Sequence, residues 1–457
     1  MKTSKKKKNG ATPDSFGPVE VPGGFPTKTL GEIAESAYTR FGEYANCHRQ
    51  LPDVRDGIKV SYRRVLTMAM SHPPGKHVAT STLLGELNAL HPHSTSGCED
   101  MINNFVHTGI LEGDGNFGEY FILDKDIVSS AAPRYTKVAV SQRFREILGD
   151  LLKDVPWHDS PMEKKEPDYI PTPLPLCFSL KYRMQGLGVA IKTEIPSFGM
   201  ASMYRALMAD DPSLLEPGID LIMDKDRSEL ERIWTTGTGK ITYSYHLARV
   251  TGDDGKTEGI LFYGDTGVFQ VKLGKTLTKL QEEGKILVDN VSDQSGPKML
   301  ISRVPGARGV TIEDIAREAE RICSNTTLYS LNVTDGKSAF RIPLREWLRY
   351  TYQNYLDLLR FSVDKKIVAT EFDLQVVLAG PVVAEEIMAD PGVTDKAVSA
   401  KLGIPIEVVQ EVFRKPIGSL RKTRDNTARL KALKARLKAL KSFDPVKFTE
   451  NQVGQLL

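Results

Sequence analysis

Ser96-Gly97-Cys98-Glu99-Asp100-Met101-Ile102-Asn103-Asn104-Phe105-Val106-His107-Thr108-Gly109 reads as one complete helix. Ser96 followed three residues later by Glu99 is a capping box. Cys98, Met101, Ile102, Phe105 and Val106 then recur at i, i+3, i+4, i+7 and i+8, and Gly109 closes the segment. Towards the C-terminus the glycine-rich run Gly113–Gly118 and the stretch Tyr120–Val128 look like a hairpin. Towards the N-terminus, Ser81–Leu90 predicts a short helix, followed by His91-Pro92-His93. Before it, Asp56–Met70 predicts another, with Ile58, Tyr62, Val65, Leu66 and Ala69 on one face and Lys59, Arg63 and Arg64 away from it. Pro73-Pro74-Gly75 ends that helix, and Leu30–Ala45 has the spacing of a first one. Short helices followed by a hairpin describe a helix-turn-helix with a β wing.

Further along, Glu163–Pro175 is rich in proline and charge and marks a boundary. Residues 176–343 mix helices with strand-like runs, Lys240–Val250 and Gly259–Val271. A long helical pattern covers Leu344–Asp373, and a second covers Ile417–Phe443, where Leu430, Leu433, Leu437 and Leu440 have the 3-4-3 spacing of a coiled-coil seam. A small helical stretch between them predicts an arm with a knob at its tip. The expected class is α+β. The layout is a disordered basic tail at 1–27, a winged-helix domain at 28–165, a mixed α/β tower at 166–343, a coiled coil with helical tip at 344–443 and a tail at 444–457.

Composition narrows the function little. The chain has 457 residues and a net charge of only +3, so any nucleic-acid signal must be local. Such clusters exist at Lys5–Lys8, with no apolar stretch after them, and at Arg414–Lys441, which holds eleven Lys or Arg against one acid, Asp425. The latter reads first as the solvated face of a coiled coil. Cys47, Cys98, Cys177 and Cys323 form no CxxC pair and read as free thiols of a reduced protein. The longest apolar run, Leu374–Ala384, is too short to span a bilayer, so no membrane partner is expected. Thr235-Thr236-Gly237-Thr238-Gly239-Lys240 imitates a phosphate loop, but Ile241 stands where Ser or Thr is required.

Three ordered segments together resemble the A subunits of DNA gyrase and of topoisomerase IV. Arg49-Gln50-Leu51-Pro52-Asp53-Val54-Arg55-Asp56-Gly57-Ile58-Lys59, with Tyr62-Arg63-Arg64-Val65-Leu66, is similar to the family's entry signature. His91-Pro92-His93 and the helix after it match the next element. Gly113-Asp114-Gly115-Asn116-Phe117-Gly118 and Ala131-Ala132-Pro133-Arg134-Tyr135-Thr136 match the wing and the catalytic tyrosine. The stretch from Gly186-Leu187-Gly188-Val189-Ala190 to Ile195-Pro196 resembles the one carrying the family's DNA-wedging isoleucine. The likeness is dense over residues 29–200 and loose beyond. Tyr62 stands where the family commonly has His, and no room remains for a C-terminal DNA-wrapping propeller, as in a compact viral or phage enzyme.

The resemblance implies that Tyr135 attacks a DNA phosphodiester, with Arg134 donating to the phosphoryl oxygens as charge builds. It implies DNA contacts from Arg49, Lys59, Arg63, Arg64, His91, His93, Ser96 and Ile195. Ser96 and Asp100 match positions where fluoroquinolones engage the family. It also implies a homodimer on double-stranded DNA in the cytoplasm, or the host cytoplasm for a virus. A partner resembling the B subunit of gyrase would bind ATP and most of the Mg2+, and no metal ligands are expected on this chain. The competing reading is a non-catalytic winged-helix DNA-binding or architectural protein.

Overall fold

Helix α1 (Leu30–Ala45) forms where its apolar spacing predicts it, yet Leu30, Ile33, Tyr38 and Phe41 along it are exposed. The computed structural model describes residues 29–92, 95–118, 130–160, 162, 164–181, 184–251, 258–265, 273–293, 296–420 and 424–455. The tail expected at 1–27, His93 and, in the expected wing, all of Tyr120–Val128 lie outside them. Two compact units divide at Gly42, one being Met1–Gly42 and the other Glu43–Leu457. All further elements belong to the second unit.

Its N-terminal part is helical with one small sheet: α2 (Val60–Ser71), β1 (Val78–Ala79), α3 (Thr80–Leu90), α4 (Thr95–Thr108), β2 (Leu111–Asp114), β3 (Lys137–Val140) and α5 (Gln142–Leu148). The strands are antiparallel in the order β1-β3-β2, with Val78 opposite Val138 and Leu111 opposite Val140. Helix α2 begins at Val60, later than Asp56, because the preceding residues are held in a tight loop. Gly57 donates to the Asp53 carbonyl at 2.7 Å, and Asp53 donates to that of Ile58 at 3.0 Å. Helix α4 begins one residue earlier than the expected cap, so Ser96 lies inside its first turn. The predicted apolar face of α4 is the one buried: Cys98, Met101, Ile102 and Phe105 join the main core.

A short hairpin, β4 (Trp157–Asp159) with β5 (Lys165–Pro167), follows. The stretch expected to be a boundary is no exposed linker: residues 169–178 are buried throughout. The next part alternates strands with helices. In chain order it holds β6 (Gln185–Leu187), β7 (Lys192–Glu194), α6 (Met200–Ala209), β8 (Ile222–Met223), α7 (Arg227–Thr236), β9 (Thr238–Ser244), β10 (His246–Thr251), β11 (Glu258–Tyr263), α8 (Lys275–Glu282), β12 (Ile286–Asn290), β13 (Lys298–Arg303), α9 (Ile312–Ile322), β14 (Ser324–Ser330), β15 (Asn332–Thr334) and β16 (Ala339–Arg341). Its larger sheets run β6-β7-β14-β9-β8 and β10-β11-β13-β12. The false phosphate loop is the link from α7 to β9, with Gly237 at φ 72° closing the helix. Helix leads into strand there, the reverse of a phosphate loop's order.

Helix α10 (Leu344–Ala389) is 46 residues long and runs through Pro381, well past the expected end at Asp373. It is the described helix long and apolar enough to cross a membrane, and a third of its most apolar window is buried in the protein. At its far end α11 (Asp395–Leu402), α12 (Ile406–Phe413) and α13 (Ile417–Leu420) enclose a second small core with Val376, Val383 and Ala384. Helix α14 (Arg424–Lys441) then returns along α10, its start near Gly380 and its end at Glu371, where Lys441 pairs at 2.7 Å. The expected C-terminal tail is helix α15 (Pro445–Gln455), which packs on α6 and α10 and buries Thr449 and Val453.

Candidate active site

Tyr135 stands on a turn that feeds β3, and both ends of that turn are fastened. The Ala132 carbonyl accepts from the Tyr135 N–H at 2.8 Å, and Ala131 donates to the Asn116 carbonyl at 2.9 Å. Helix α3 holds the other side. Ser81 donates to the Pro133 carbonyl at 3.1 Å, Thr80 to that of Thr136 at 3.0 Å, and the Thr136 hydroxyl to that of Thr80 at 2.8 Å. Thr136, drawn in by these bonds, is buried, while Tyr135 beside it is 68% exposed. Gly115, at φ 114°, lies beneath, and a Cβ there would come within 3.0 Å of the Tyr135 carbonyl. The Arg134 guanidinium sits 4.6 Å from the centre of the Tyr135 ring. A cation over the ring face is attracted to it. An accessible phenol and an exposed, permanently charged guanidinium thus occupy one rigid turn.

The same unit holds a chain of buried charges. Arg63 is buried between Asp56 (2.8 Å) and Asp53 (3.0 Å), and Arg55 caps Asp53 at 2.7 Å. Arg64 is buried against Glu166 of β5, Nε to Oε2 at 2.6 Å and Nη2 to Oε1 at 2.9 Å. His158 of β4 spans Glu166 at 3.3 Å and Asp168 at 2.7 Å. Burial alone would raise the Asp53 and Glu166 carboxyls, but Arg55 and Arg63 in one case and Arg64 in the other hold both below their ordinary values. Asp56 goes the other way, pushed up by complete burial and by Asp53 beside it. The two arginines expected on a DNA-facing surface are therefore engaged with carboxylates inside the protein.

The remaining expected residues differ in exposure. Arg49 is exposed, while Lys59 and His91 are half-buried. Burial pulls the Lys59 ammonium down; burial first, then the Arg64 charge, pulls the His91 imidazole down. His48 is lowered in the same way, by burial, Arg64 and His158. Ser96 and Asp100 share the exposed face of α4. Among the described residues no three His, Cys, Asp or Glu side chains converge as a metal site.

Ile195 is not at the surface. It is fully buried at the end of β7, donating from its N–H to the Met184 carbonyl at 3.1 Å. The exposed apolar residue of that stretch is Leu187, at 76%. It ends β6 opposite Lys192, in a hairpin fixed by Asn46, which accepts from Val189 N–H at 2.7 Å and donates to the Val189 carbonyl at 3.1 Å. Gly186 makes the close approach possible, since a Cβ there would lie 2.0 Å from the Gln50 carbonyl. A large apolar residue between two glycines has no neighbouring side chains to cover it, and Gly186-Leu187-Gly188 carries that signal in the sequence.

The family profile for the A subunit of DNA gyrase/topoisomerase IV matches residues 49–330, a segment holding Tyr135, Arg134 and the whole charge chain. The chain belongs to that family. Similar proteins include the DNA gyrase A subunit of Dehalogenimonas lykanthroporepellens, 30% identical over 300 residues, covering 58% of this chain and 36% of that protein. The DNA gyrase A subunit of Haemophilus influenzae is 28% identical, covering 66% and 35%. The DNA topoisomerase 4 A subunit of Pseudomonas aeruginosa is 26% identical, covering 72% and 46%. The chain thus matches less than half the length of these curated relatives.

Proposed function

We propose that this chain is the DNA-cleaving and rejoining subunit of a type IIA topoisomerase, with Tyr135 as nucleophile. The observation that carries the reading is the exposed Arg134-Tyr135 pair on a turn tied down from both sides, within the segment that defines the family. The Tyr135 oxygen attacks a backbone phosphorus and gives up its proton; the P–O3′ bond breaks and the 3′ oxygen takes a proton. The DNA end remains as a 5′-phosphotyrosine. Reattack by the 3′ hydroxyl reverses the step with no outside energy source. Arg134 donates hydrogen bonds to the phosphoryl oxygens as their charge grows.

In this reading α2, α3, α4 and the three-stranded sheet form a winged-helix domain, residues 166–343 the tower, and the α10–α14 pair a coiled-coil arm ending in an exit gate. Two copies cut opposite strands, so the twofold of a homodimer matches that of the DNA. Arg49, Lys59, His91, His93 and Ser96 contact the duplex, and Ser96 with Asp100 forms the drug-contact position. Arg63 and Arg64 shape α2 from inside. The wedge passes from Ile195 to Leu187, the apolar side chain that solvent and a base step can reach. Mg2+ and ATP belong, by likeness to the family, to a cytoplasmic partner protein resembling the B subunit of gyrase. The test is plasmid cleavage trapped with detergent in the presence of that partner. Tyr135→Phe should abolish covalent adducts and leave DNA binding within about twofold; adducts at the wild-type level would overturn the reading.

A further inference from the structure

Helix α5 is short, and its sequence Gln142-Arg143-Phe144-Arg145-Glu146-Ile147-Leu148 turns Phe144, Ile147 and Leu148 into the core. Arg145, next to Phe144, is half-buried. Its Nη2 donates to the carbonyl of His72, the residue that ends α2, at 3.0 Å. Its Nε is closed off from water and has no acceptor among the described residues. No carboxylate among them pairs with this guanidinium, and burial pulls it below its ordinary value. A cation taken out of water is normally answered by a counter-charge. In α2 the same protein does so twice, with Asp56 against Arg63 and Glu166 against Arg64. Arg145 has no such answer.

Arg145 lines a cleft of about 670 Å3 between α2, α5 and β4, a size within the range of small-ligand sites. Met68 and Met70 of α2, Leu152 and Trp157 of β4 supply its apolar lining. Trp157 is 40% exposed, yet its indole is held in place, donating to the Leu152 carbonyl at 3.0 Å. The lysines that line the cleft are already engaged, Lys153 with Asp150 at 2.9 Å and Lys165 with Asp159 at 2.7 Å. Glu146 and Asp150 also line it, and they repel a doubly charged phosphate more than a singly charged carboxylate. We propose that this cleft binds a small aromatic carboxylate, its ring against Trp157 and the methionines and its charge on Arg145. Guanidinium and carboxylate make charge-assisted, planar hydrogen bonds, and indole and thioether surfaces suit an aromatic body. The cleft shares no lining residue with the Tyr135 turn or with the positions assigned to DNA.

The test is a calorimetric titration of the whole chain, without DNA, with naphthoate and with its neutral amide, naphthamide, each repeated as a melting curve. Three proteins are compared: wild type, Arg145→Gln, and Leu152→Trp, which fills the cleft and keeps the cation. Wild type should bind one naphthoate per chain, melt at a higher temperature in its presence, and bind naphthamide about tenfold more weakly or worse, the usual loss for a charged hydrogen bond. Arg145→Gln should bind acid and amide alike and weakly, and Leu152→Trp should bind neither. No heat up to about 1 mM naphthoate, an affinity that a ligand of this size reaches with ordinary contacts, overturns the proposal. Equal binding of acid and amide by wild type overturns it, and so does wild-type binding by Leu152→Trp. Should Arg145→Gln fail to fold, because α5 loses its tie to α2, the acid–amide difference in wild type and its loss in Leu152→Trp decide the matter. The titration involves neither DNA nor chemistry at Tyr135, so its outcome is independent of the cleavage reading.

Discussion

Residue identity decides most where one side chain must face out while its neighbours face in. Tyr135 is proposed from the sequence because its segment matches the family's motif; its exposure depends on Thr136 turning inward onto Thr80, a contact 56 residues apart that no local pattern announces. The wedge shows the opposite case. Ile195, β-branched before Pro196, has the stiffness of a wedge, yet the packing of β7 against the core buries it, while Leu187 between its glycines stays in solvent. Two substitutions separate the residues. Ile195→Ala should destabilise the fold by ~2–5 kcal/mol, the usual range for emptying a core site of that size, seen as a lower denaturant midpoint. Leu187→Ala should change stability by less than ~0.5 kcal/mol and reduce the bend of a short duplex measured by fluorescence transfer. A Leu187→Ala protein that bends DNA like wild type would remove the wedge from this residue as well.

Elements are set by contacts that sequence spacing reports only in part. The apolar face of α4 was fully readable, since one helix period sufficed. Arg63 and Arg64 were not: a cation beside an apolar stripe reads as a surface charge until Asp53, Asp56 and Glu166 are seen around it. Glu166, 102 residues from Arg64, fixes hairpin β4–β5 onto α2. Glu166→Ala leaves a buried guanidinium without its carboxylate, which typically costs ~3–5 kcal/mol, and the melting temperature should fall accordingly. A drop no larger than that of an ordinary surface substitution would mean that water or His158 replaces the carboxylate freely. Helix α10 outran its expected end because Pro381, which loses one backbone hydrogen bond, is outweighed by Val376, Ala379, Val383 and Ala384 packing into the tip.

At the scale of the molecule, the same buried charges predict how stability follows pH. The His48 and His91 imidazoles are held below the ordinary 6.5. As pH falls through that value the unfolded chain takes up protons first, so stability should decline from about pH 7 downward. A second loss should begin as pH falls into the ordinary carboxylate range, where the unfolded chain takes up protons while Asp53 and Glu166 are still held ionised in the folded state; Asp56, raised by burial, works against that loss. Melting curves between about pH 8 and pH 2 should show both steps, and His91→Gln should shrink the first. A first step of full size in His91→Gln would exclude this histidine as its source. The layout of helices, sheets and long arm was legible from periodicity and family likeness, whereas the buried path of residues 169–178 was not, because proline and charge there signal a linker unless their partners are known. The proposed function comes down to one bond, between the Tyr135 oxygen and a 5′ phosphate. Incubation with the partner protein and a duplex carrying a label near either the 5′ or the 3′ side of the cut, followed by detergent, proteolysis and mass spectrometry, reads that bond directly. The predicted product is a peptide containing Tyr135 joined to the 5′-phosphate fragment; a nucleotide on any other residue, or on the 3′ fragment, would contradict it.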